Sequence, residues 1–426
     1  MSAQTVPVTA PAAPSRQARR ARLAVAALFL TNGALFANVV PRYPQIKAEL
    51  GVTNAVLGTA LAAMPLGALL AGLLAAAAIR RFGSARVAGF GIVALAAATL
   101  LIPVAPNWIA FAAVLGAVGA LDAIVDVAQN AHGLRVQRLY RRSIVNSFHG
   151  LWSIGAVLGG LMGSVAAGLD TPLAVHLAVS AVLFGLIAVL AYRFLLPGPE
   201  EAERSVGRDA GRGAERDGDG DGPVDRPAGA EIPAARPTAA RLAVRLLAVL
   251  GLLAACGALV EDAGASWGAL YLSGNLHTGA AVAGLAFVAL QVAMTAGRLT
   301  GDRIVDRFGQ RTVVRAGGLL AAVGMGLALA VPSVPTTLAG FALAGLGVAT
   351  LVPAAMHTAD ELPGLSPGTG LTVVSWLLRG GFLLSPPLVG FVADLTSLRV
   401  GLLSVVVAGV LTVVCGRVLV NPATRG

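Results

Sequence analysis

Long apolar stretches alternate with short polar connections along most of the chain. A helix that spans a bilayer needs about 20 predominantly apolar residues. Twelve stretches meet this requirement and predict an all-α polytopic membrane protein. Their approximate bounds are 23–45, 54–78, 87–104, 107–133, 144–168, 172–196, 241–272, 279–298, 313–331, 335–359, 367–393 and 398–420.

One internal polar segment divides these stretches into two sets of six. Residues 197–240 are rich in Gly, Asp and Arg and contain few large apolar residues, so they cannot form a packed core. We predict a disordered cytoplasmic tether here, with a regulatory element as the alternative. The predicted units are a disordered N-terminal tail (1–22), two six-helix halves (23–196 and 241–420) joined by this central loop, and a C-terminal tail (421–426).

Arginines are concentrated in alternate connections. The predicted inside segments include Arg80, Arg81, Arg138 and Arg307, whereas the predicted outside loops hold only Arg42, Lys47 and Arg399. This asymmetry predicts a multi-pass protein of the cytoplasmic membrane with both termini in the cytoplasm. Because the basic residues lie in these connections, we interpret the net charge of +10 as a determinant of membrane orientation. It does not indicate nucleic-acid binding.

The fourth apolar stretch carries a polar stripe. Asp122, Asp126 and Asn130 are each four residues apart, which places them on one face of a helix. Ionisable residues at membrane depth usually face a bundle interior or a watery cavity and mark ion or substrate pathways. We predict proton coupling at Asp126 and Asp122 and substrate binding at Asn130. The alternative is a pair of acids near the cytoplasmic end, solvated by headgroups.

Further polar and aromatic residues within the spans are candidates for substrate binding. His149 and Trp152 are three residues apart in the fifth span, and Trp267 lies in the seventh. Aromatic rings beside hydrogen-bonding groups suit a sugar or another amphipathic solute. The alternative is helix packing or an interfacial belt.

Charged residues also occur inside two later spans. Glu261 and Asp262 are adjacent, so a helix directs only one of them towards a cavity, with a position of both near the outer mouth as the alternative. Arg379 lies mid-span and needs a partner, which we expect to be a carboxylate or an anionic substrate. The alternative for Arg379 is a helix break at Gly380 and Gly381 that lets the side chain reach the headgroups.

Enzymatic and cofactor chemistry is not indicated. The two cysteines lie in apolar runs without metal-ligand spacing, and no phosphate-binding loop is present. The five histidines are scattered. We therefore predict no catalytic residues, no metal and no cofactor.

The two halves share sequence landmarks at a constant offset. Arg81-Phe82-Gly83 follows the second span and Arg307-Phe308-Gly309 follows the eighth, an offset of 226 residues that also relates Gly155 to Gly381. This offset predicts duplicated six-helix halves, a known plan for transporters. In the fifth span, glycines at 155, 159 and 163 favour close helix packing.

These features resemble the major facilitator superfamily. Its signature after the second and eighth helices is similar to GRLTGDRIVDRFGQR in the second half, whereas the first copy has Arg80 in the position of Asp306. The resemblance implies a gate on the cytoplasmic side, made by ion pairs between helix ends. The gate residues would be Arg298, Asp302, Asp306, Arg307, Gly309 and Arg311.

Finer motifs resemble the fucose-permease-related branch, among them DVAQNAHG and SFHGLWSIGAVLGG. In that branch an acid four residues before a fourth-helix Asn couples transport to protons, and Asp126 matches it. The resemblance also favours Glu261 over Asp262 as the cavity residue that binds substrate. The acid that these symporters carry on the first helix is absent here.

Together these patterns predict a secondary transporter that works by alternating access. Its expected partners are a small organic solute, for which a sugar is one candidate class, protons and the lipid bilayer, and we expect a monomer to suffice. The alternatives are proton-driven efflux of metabolites or drugs and a receptor or scaffold without flux.

Overall fold

The computed structural model describes residues 15–140, 144–198, 237–362, 365–366 and 368–419. All regular structure within these ranges is helical, which confirms the predicted fold class. Residues 1–14, most of the central loop and residues 420–426 lie outside the described ranges. The predictions for these parts of the chain remain predictions. Residues 16–22, predicted as part of the disordered tail, are instead helical within Arg16–Val39, and residues 237–240, predicted as part of the loop, are helical within Pro237–Asn275.

Within the residues that the structure describes, twelve helical segments account for the predicted spans. Those of the first half are α1 (Arg16–Leu50), α2 (Asn54–Phe82), α3 (Ser84–Thr99), α4 (Trp108–Tyr140), α5 (Val145–Gly168) and α6 (Leu173–Tyr192). Those of the second half are α7 (Pro237–Asn275), α8 (Ala280–Phe308), α9 (Gln310–Ala330), α10 (Val334–Asp360), α11 (Thr369–Leu395) and α12 (Leu398–Val418). In the described part of the chain, eleven segments are long and apolar enough to cross a membrane, and the 16-residue α3 occupies the remaining predicted span.

Several segments contain local breaks. A 3-10 turn at Val40–Arg42 interrupts α1, and α10 is divided into Val334–Val348 and Leu351–Asp360. Side chains close the N-terminal ends of helices: Thr53 accepts a hydrogen bond from the Val56 amide, and Ser333 forms a capping box with Thr336. These caps satisfy amide groups that have no partner within the helix.

The two Arg-Phe-Gly sequences end their helices in the same way. Gly83 has φ +83° and Gly309 has φ +80°, a conformation that glycine adopts without strain. Each glycine amide donates a 2.8 Å hydrogen bond to a carbonyl four residues earlier, that of Ile79 or Val305. The local structure thus repeats at the offset found in the sequence.

Helix packing repeats as well. In the first half α1 packs on α5 and α6, α2 on α4, and α3 on α4 and α6. In the second half, correspondingly, α7 packs on α11 and α12, α8 on α10, and α9 on α10 and α12. This correspondence confirms two six-helix pseudo-repeats.

Contacts between the halves are symmetric too, with α2 on α11 and α5 on α8. The α2–α11 seam is tightest at the end of the bundle that carries Gly51, Asp170 and Asn275, which we name the arginine-poor end. There Gly58 faces the backbone of Pro386, and Gly390 faces the backbone of Asn54. The opposite end, with Arg81, Arg138 and Arg307, is named the arginine-rich end.

Glycines bring α5 against α1. Gly155, Gly159 and Gly163 face successive turns of α1, where a methyl group would overlap backbone carbonyl oxygens. On the next turn the α5 backbone at Trp152 approaches Gly33 equally closely. This packing sets Trp152 beside the polar residue Asn32.

Candidate functional site

The polar stripe of α4 forms one face, as its spacing predicts. The Asn130 side-chain amide donates to Asp126 at both the backbone carbonyl, 2.9 Å away, and the carboxylate Oδ1, 3.0 Å away. Asp126 is exposed, and Asp122 and Asn130 are half-buried. Because the helix turns every 3.6 residues, these three side chains share a stripe about two turns long.

Asn32 of α1 joins this stripe to α5. Its Nδ2 donates to Asp122 Oδ1 at 2.8 Å, and its Oδ1 accepts from the indole Nε1 of Trp152 at 2.7 Å. Asn32 is almost fully buried. Both ends of the amide are therefore satisfied, and their partners fix its orientation. The sequence analysis did not identify Asn32 as a site residue. The one feature that could have indicated it is a polar side chain within an apolar span.

His149 extends the stripe on the other side. Its Nε2 lies 3.1 Å from Asn130 Oδ1, and its ring packs edge-on against Phe29 with centroids 5.3 Å apart. Since the Asn130 amide nitrogen already donates to Asp126, its oxygen accepts, so His149 Nε2 is the donor. Asp126, Asn130 and His149 thus form a connected hydrogen-bonded chain.

Arg379, on α11 of the second half, lies near the polar stripe of α4. Its guanidinium NH1 lies beside Gly72 of α2, and its charge lies within electrostatic range of Asp126. The exposed face of Asp126 is therefore directed into the space between the halves. Of the interpretations that the sequence left open for Arg379, this placement favours an interaction with a carboxylate.

The adjacent acids of α7 have different partners. Glu261 Oε2 accepts from Arg298 of α8 at 3.3 Å, and the pair is partly exposed, with 25% and 40% of the two side chains accessible. Asp262 Oδ1 accepts from Ser266 at 2.9 Å, and the Ser385 hydroxyl of α11 lies near the same carboxylate. Arg298, which the resemblance implies is a gate residue, is thus engaged with Glu261.

Trp267 is fully buried where α7 meets α11, with its ring against Gly390. In this structure it belongs to a helix contact and not to the surface of the space between the halves. The neighbouring aromatic residue Tyr271 is equally buried. The helix-packing alternative therefore describes Trp267 here.

The end of α8, Gly309 and the start of α9 hold the remaining gate residues. Asp302 and Asp306 are exposed, and the Arg307 guanidinium lies 5.4 Å from the ring centroid of Phe308. Arg311 donates to the backbone carbonyl of Leu419 at 3.1 Å and to that of Arg417. Arg311 thereby holds the end of α12 against α9.

A family model described as Major Facilitator Superfamily matches residues 25–261 and 250–425. The chain belongs to the major facilitator superfamily. It is 32% identical over 405 residues to the membrane protein MosC of Rhizobium meliloti, covering 95% of this chain and 91% of MosC. This similarity and the family match establish a multi-pass membrane transporter that is not an enzyme.

Solved structures agree on the fold. The nucleoside transporter NupG matches with a TM-score of 0.68 at 13% identity, covering 93% of this chain and 98% of NupG. A D-xylose-proton symporter matches with a TM-score of 0.66 at 13% identity, covering 94% of this chain and 96% of the symporter. At these identities the likeness concerns the fold alone.

Proposed function

We propose that this protein is a proton-coupled secondary transporter of a small polar organic solute, of the fucose-permease-related branch. The observation that carries the proposal is the polar stripe of α4, which Asn32 and His149 complete within the first half and Arg379 faces from the second. A non-transporting scaffold does not require two carboxylates at membrane depth, where ionisable groups are costly.

Asp126 is the proposed coupling residue. Its carboxylate faces the space between the halves and interacts with the charge of Arg379. Gain of a proton would remove the negative charge that attracts Arg379, which belongs to the other half. Protonation of Asp126 would therefore change the interaction between the two parts that must move during alternating access.

Asp122 and Asn32 have a supporting role in this proposal. The branch resemblance expects an acid on the first helix, and here α1 contributes the neutral donor Asn32 to Asp122 at 2.8 Å. Asp122 is thereby fixed by a neighbour within its own half. This arrangement suits a residue that orients Trp152 and tunes the site, and it leaves proton exchange to Asp126.

The proposed substrate is sugar-like. The Trp152 ring is stacked near Phe36, with centroids 6.0 Å apart, and lies beside amide and carboxylate groups. An aromatic surface next to hydrogen-bonding groups suits a solute with one apolar and one hydroxylated face. Two structural neighbours are named as transporters of a nucleoside and of D-xylose, which is consistent with this class.

The proposed orientation in the membrane and the proposed cytoplasmic gate both involve the arginine-rich end. The arginine-rich end would face the cytoplasm, as expected from the positive-inside rule. When the halves rock, Asp302 and Asp306 would pair with arginines of neighbouring helix ends and close that side. Networks of such pairs contribute more than isolated exposed ones.

The test is flux through the purified protein in proteoliposomes. A thermal-shift screen of sugars, organic acids and amines first identifies a ligand, and its uptake is then measured with an imposed pH gradient of either sign. Accumulation along an inward proton gradient supports symport. Accumulation driven in the opposite sense supports the alternative, proton-driven efflux, and the absence of flux with a bound ligand supports a receptor or scaffold.

A further inference from the structure

A basic cleft opens at the arginine-rich end of the first half, between α2, α3, α4 and the segment after α6. Three of its lining residues are arginines, Arg80, Arg81 and Arg86, and we name it the arginine cleft. Its volume is about 580 Å³. This lies within the range of roughly 300–1,000 Å³ found for small-molecule pockets.

One wall of the cleft is held by buried hydrogen bonds. The Leu196 amide donates to Nε2 of the buried His132 at 3.1 Å, so His132 Nδ1 carries the proton and donates to Ser84 Oγ at 2.9 Å. Arg135 donates to the backbone carbonyls of Pro197 at 2.7 Å and Gly198 at 3.1 Å. The chain after α6 is therefore fixed in place beside the arginines.

The charge of the cleft is uncompensated within the described part of the chain. None of its lining residues is acidic, and its three arginines form no ion pair with a described residue. The position of Arg80 corresponds, at the offset of 226, to Asp306 of the second half. The first half thus carries a cation where its pseudo-repeat carries an anion.

An exposed apolar face of α2 leads along the helix towards the cleft. Leu70, Leu73 and Leu74 of α2 are 67%, 77% and 61% exposed, and they precede Arg80 by two to three turns of the same helix. Phe82 at the rim is 54% exposed. An apolar helix face that ends in a group of arginines matches the two parts of a phospholipid, with acyl chains along the helix and a phosphate at its end.

We propose that the arginine cleft binds the phosphate-containing headgroup of an anionic phospholipid, with the acyl chains lying on the exposed face of α2. Arginine guanidinium groups recognise phosphate oxygens through paired hydrogen bonds as well as charge. A lipid is favoured over a free anion because an exposed apolar face of α2 ends at the arginines. The cleft uses Val127 and Ala131 of α4, whereas the transport site uses Asp122, Asp126 and Asn130 of the same helix.

The test measures lipid binding to the full-length protein by native mass spectrometry. Phosphatidylglycerol is titrated against phosphatidylcholine of the same chain length in a non-ionic detergent. The wild type should bind one phosphatidylglycerol in clear preference. Arg80→Asp should weaken this binding about 30-fold, because each unit of charge near an anionic headgroup changes affinity about fivefold.

Matched variants separate the cleft from general electrostatics. Arg303→Asp makes the same change of charge at an exposed position on α8, at the same end of the bundle, and should leave the affinity within about twofold. Arg86→Gln removes one charge from the cleft and should weaken binding about fivefold. This variant replaces Arg80→Asp as the test of the cleft if Arg80→Asp fails to fold. Equal effects of Arg80→Asp and Arg303→Asp would overturn the proposal.

Two further outcomes would also overturn it by identifying another occupant. Ten of the 21 acidic residues lie between Glu200 and Glu231, so the chain itself contains a competing anionic segment. Phosphatidylglycerol binding that appears only after the central loop is shortened would assign the cleft to that segment. Stabilisation by inorganic phosphate without any preference between the two lipids would assign it to a free anion.

Discussion

Removal of the Asp394 carboxylate should open the arginine-poor end of the bundle. Asp394 lies at the end of α11, in the second half, and its two carboxylate oxygens accept hydrogen bonds from the first amides of α2, in the first half. The Asn54 amide donates to Oδ1 at 2.9 Å and the Ala55 amide to Oδ2 at 2.7 Å. One half therefore caps a helix of the other, and this contact must break when that end opens.

The free energy that this contact contributes to closure depends on how exposed it is. Hydrogen bonds to charged groups contribute about 1.5–3 kcal/mol each when shielded, and charges at exposed helix ends about 0.3–1 kcal/mol. Because Asp394 is exposed, we assign about 1 kcal/mol to the whole contact, which is about a fivefold change in population. Asp394→Ala should show the full effect, and Asp394→Asn, which keeps one acceptor oxygen, about half of this free energy.

The assay is a distance distribution between spin labels at Leu169 and Gly274, which are exposed on opposite halves at the arginine-poor end. Cys256 and Cys415 are first replaced, since they are the only native cysteines. Asp394→Ala should increase the longer-distance population about fivefold. The control, Asp360→Ala, removes an exposed acid at the other end of the same half. An unchanged distribution for Asp394→Ala, or the same shift in the control, would refute the reasoning.

Three other predictions concern the site, the loop and the topology. Asn32→Ala should leave the protein folded but weaken ligand binding about tenfold in a thermal-shift titration, because Asp122 and Trp152 lose a shared partner; an unchanged affinity would count against this role. Shortening residues 199–236 to about fifteen flexible residues should preserve expression and transport, because closure entropy changes slowly with loop length. Single cysteines at Gly218, outside the described residues, and at Gly274 should label from opposite sides of the membrane, and labelling from one side would contradict the topology.

The spans and the duplicated halves could be predicted because both depend on local patterns. Hydropathy locates each helix, and the constant offset of the Arg-Phe-Gly sequences reveals the repeat. The ends were less accurate: α4 continues to Tyr140, beyond the predicted 133, and α8 to Phe308, beyond the predicted 298. Helices continue past the apolar stretch because their arginine-rich ends extend beyond the hydrocarbon region, where hydropathy no longer reports on helix length.

The candidate site was only partly predictable. The α4 stripe follows from helix geometry alone, so Asp126 and Asn130 were placed correctly relative to each other. The bond from Asn32 to Asp122 joins residues 90 positions apart and depends on how α1 packs on its neighbours, which no local pattern contains. Likewise, the rotation of α7 decides that Glu261 meets Arg298, and the contact of α7 with α11 decides the burial of Trp267.

The most direct test of proton coupling is substrate accumulation by Asp126→Asn in proteoliposomes with and without an imposed pH gradient. Asparagine keeps the shape and the hydrogen bond to Asn130 but cannot exchange a proton. We predict that the wild type accumulates substrate only with the gradient, whereas Asp126→Asn still binds and exchanges substrate but no longer accumulates it. Gradient-driven accumulation by Asp126→Asn, or a wild type that ignores the gradient, would contradict the account.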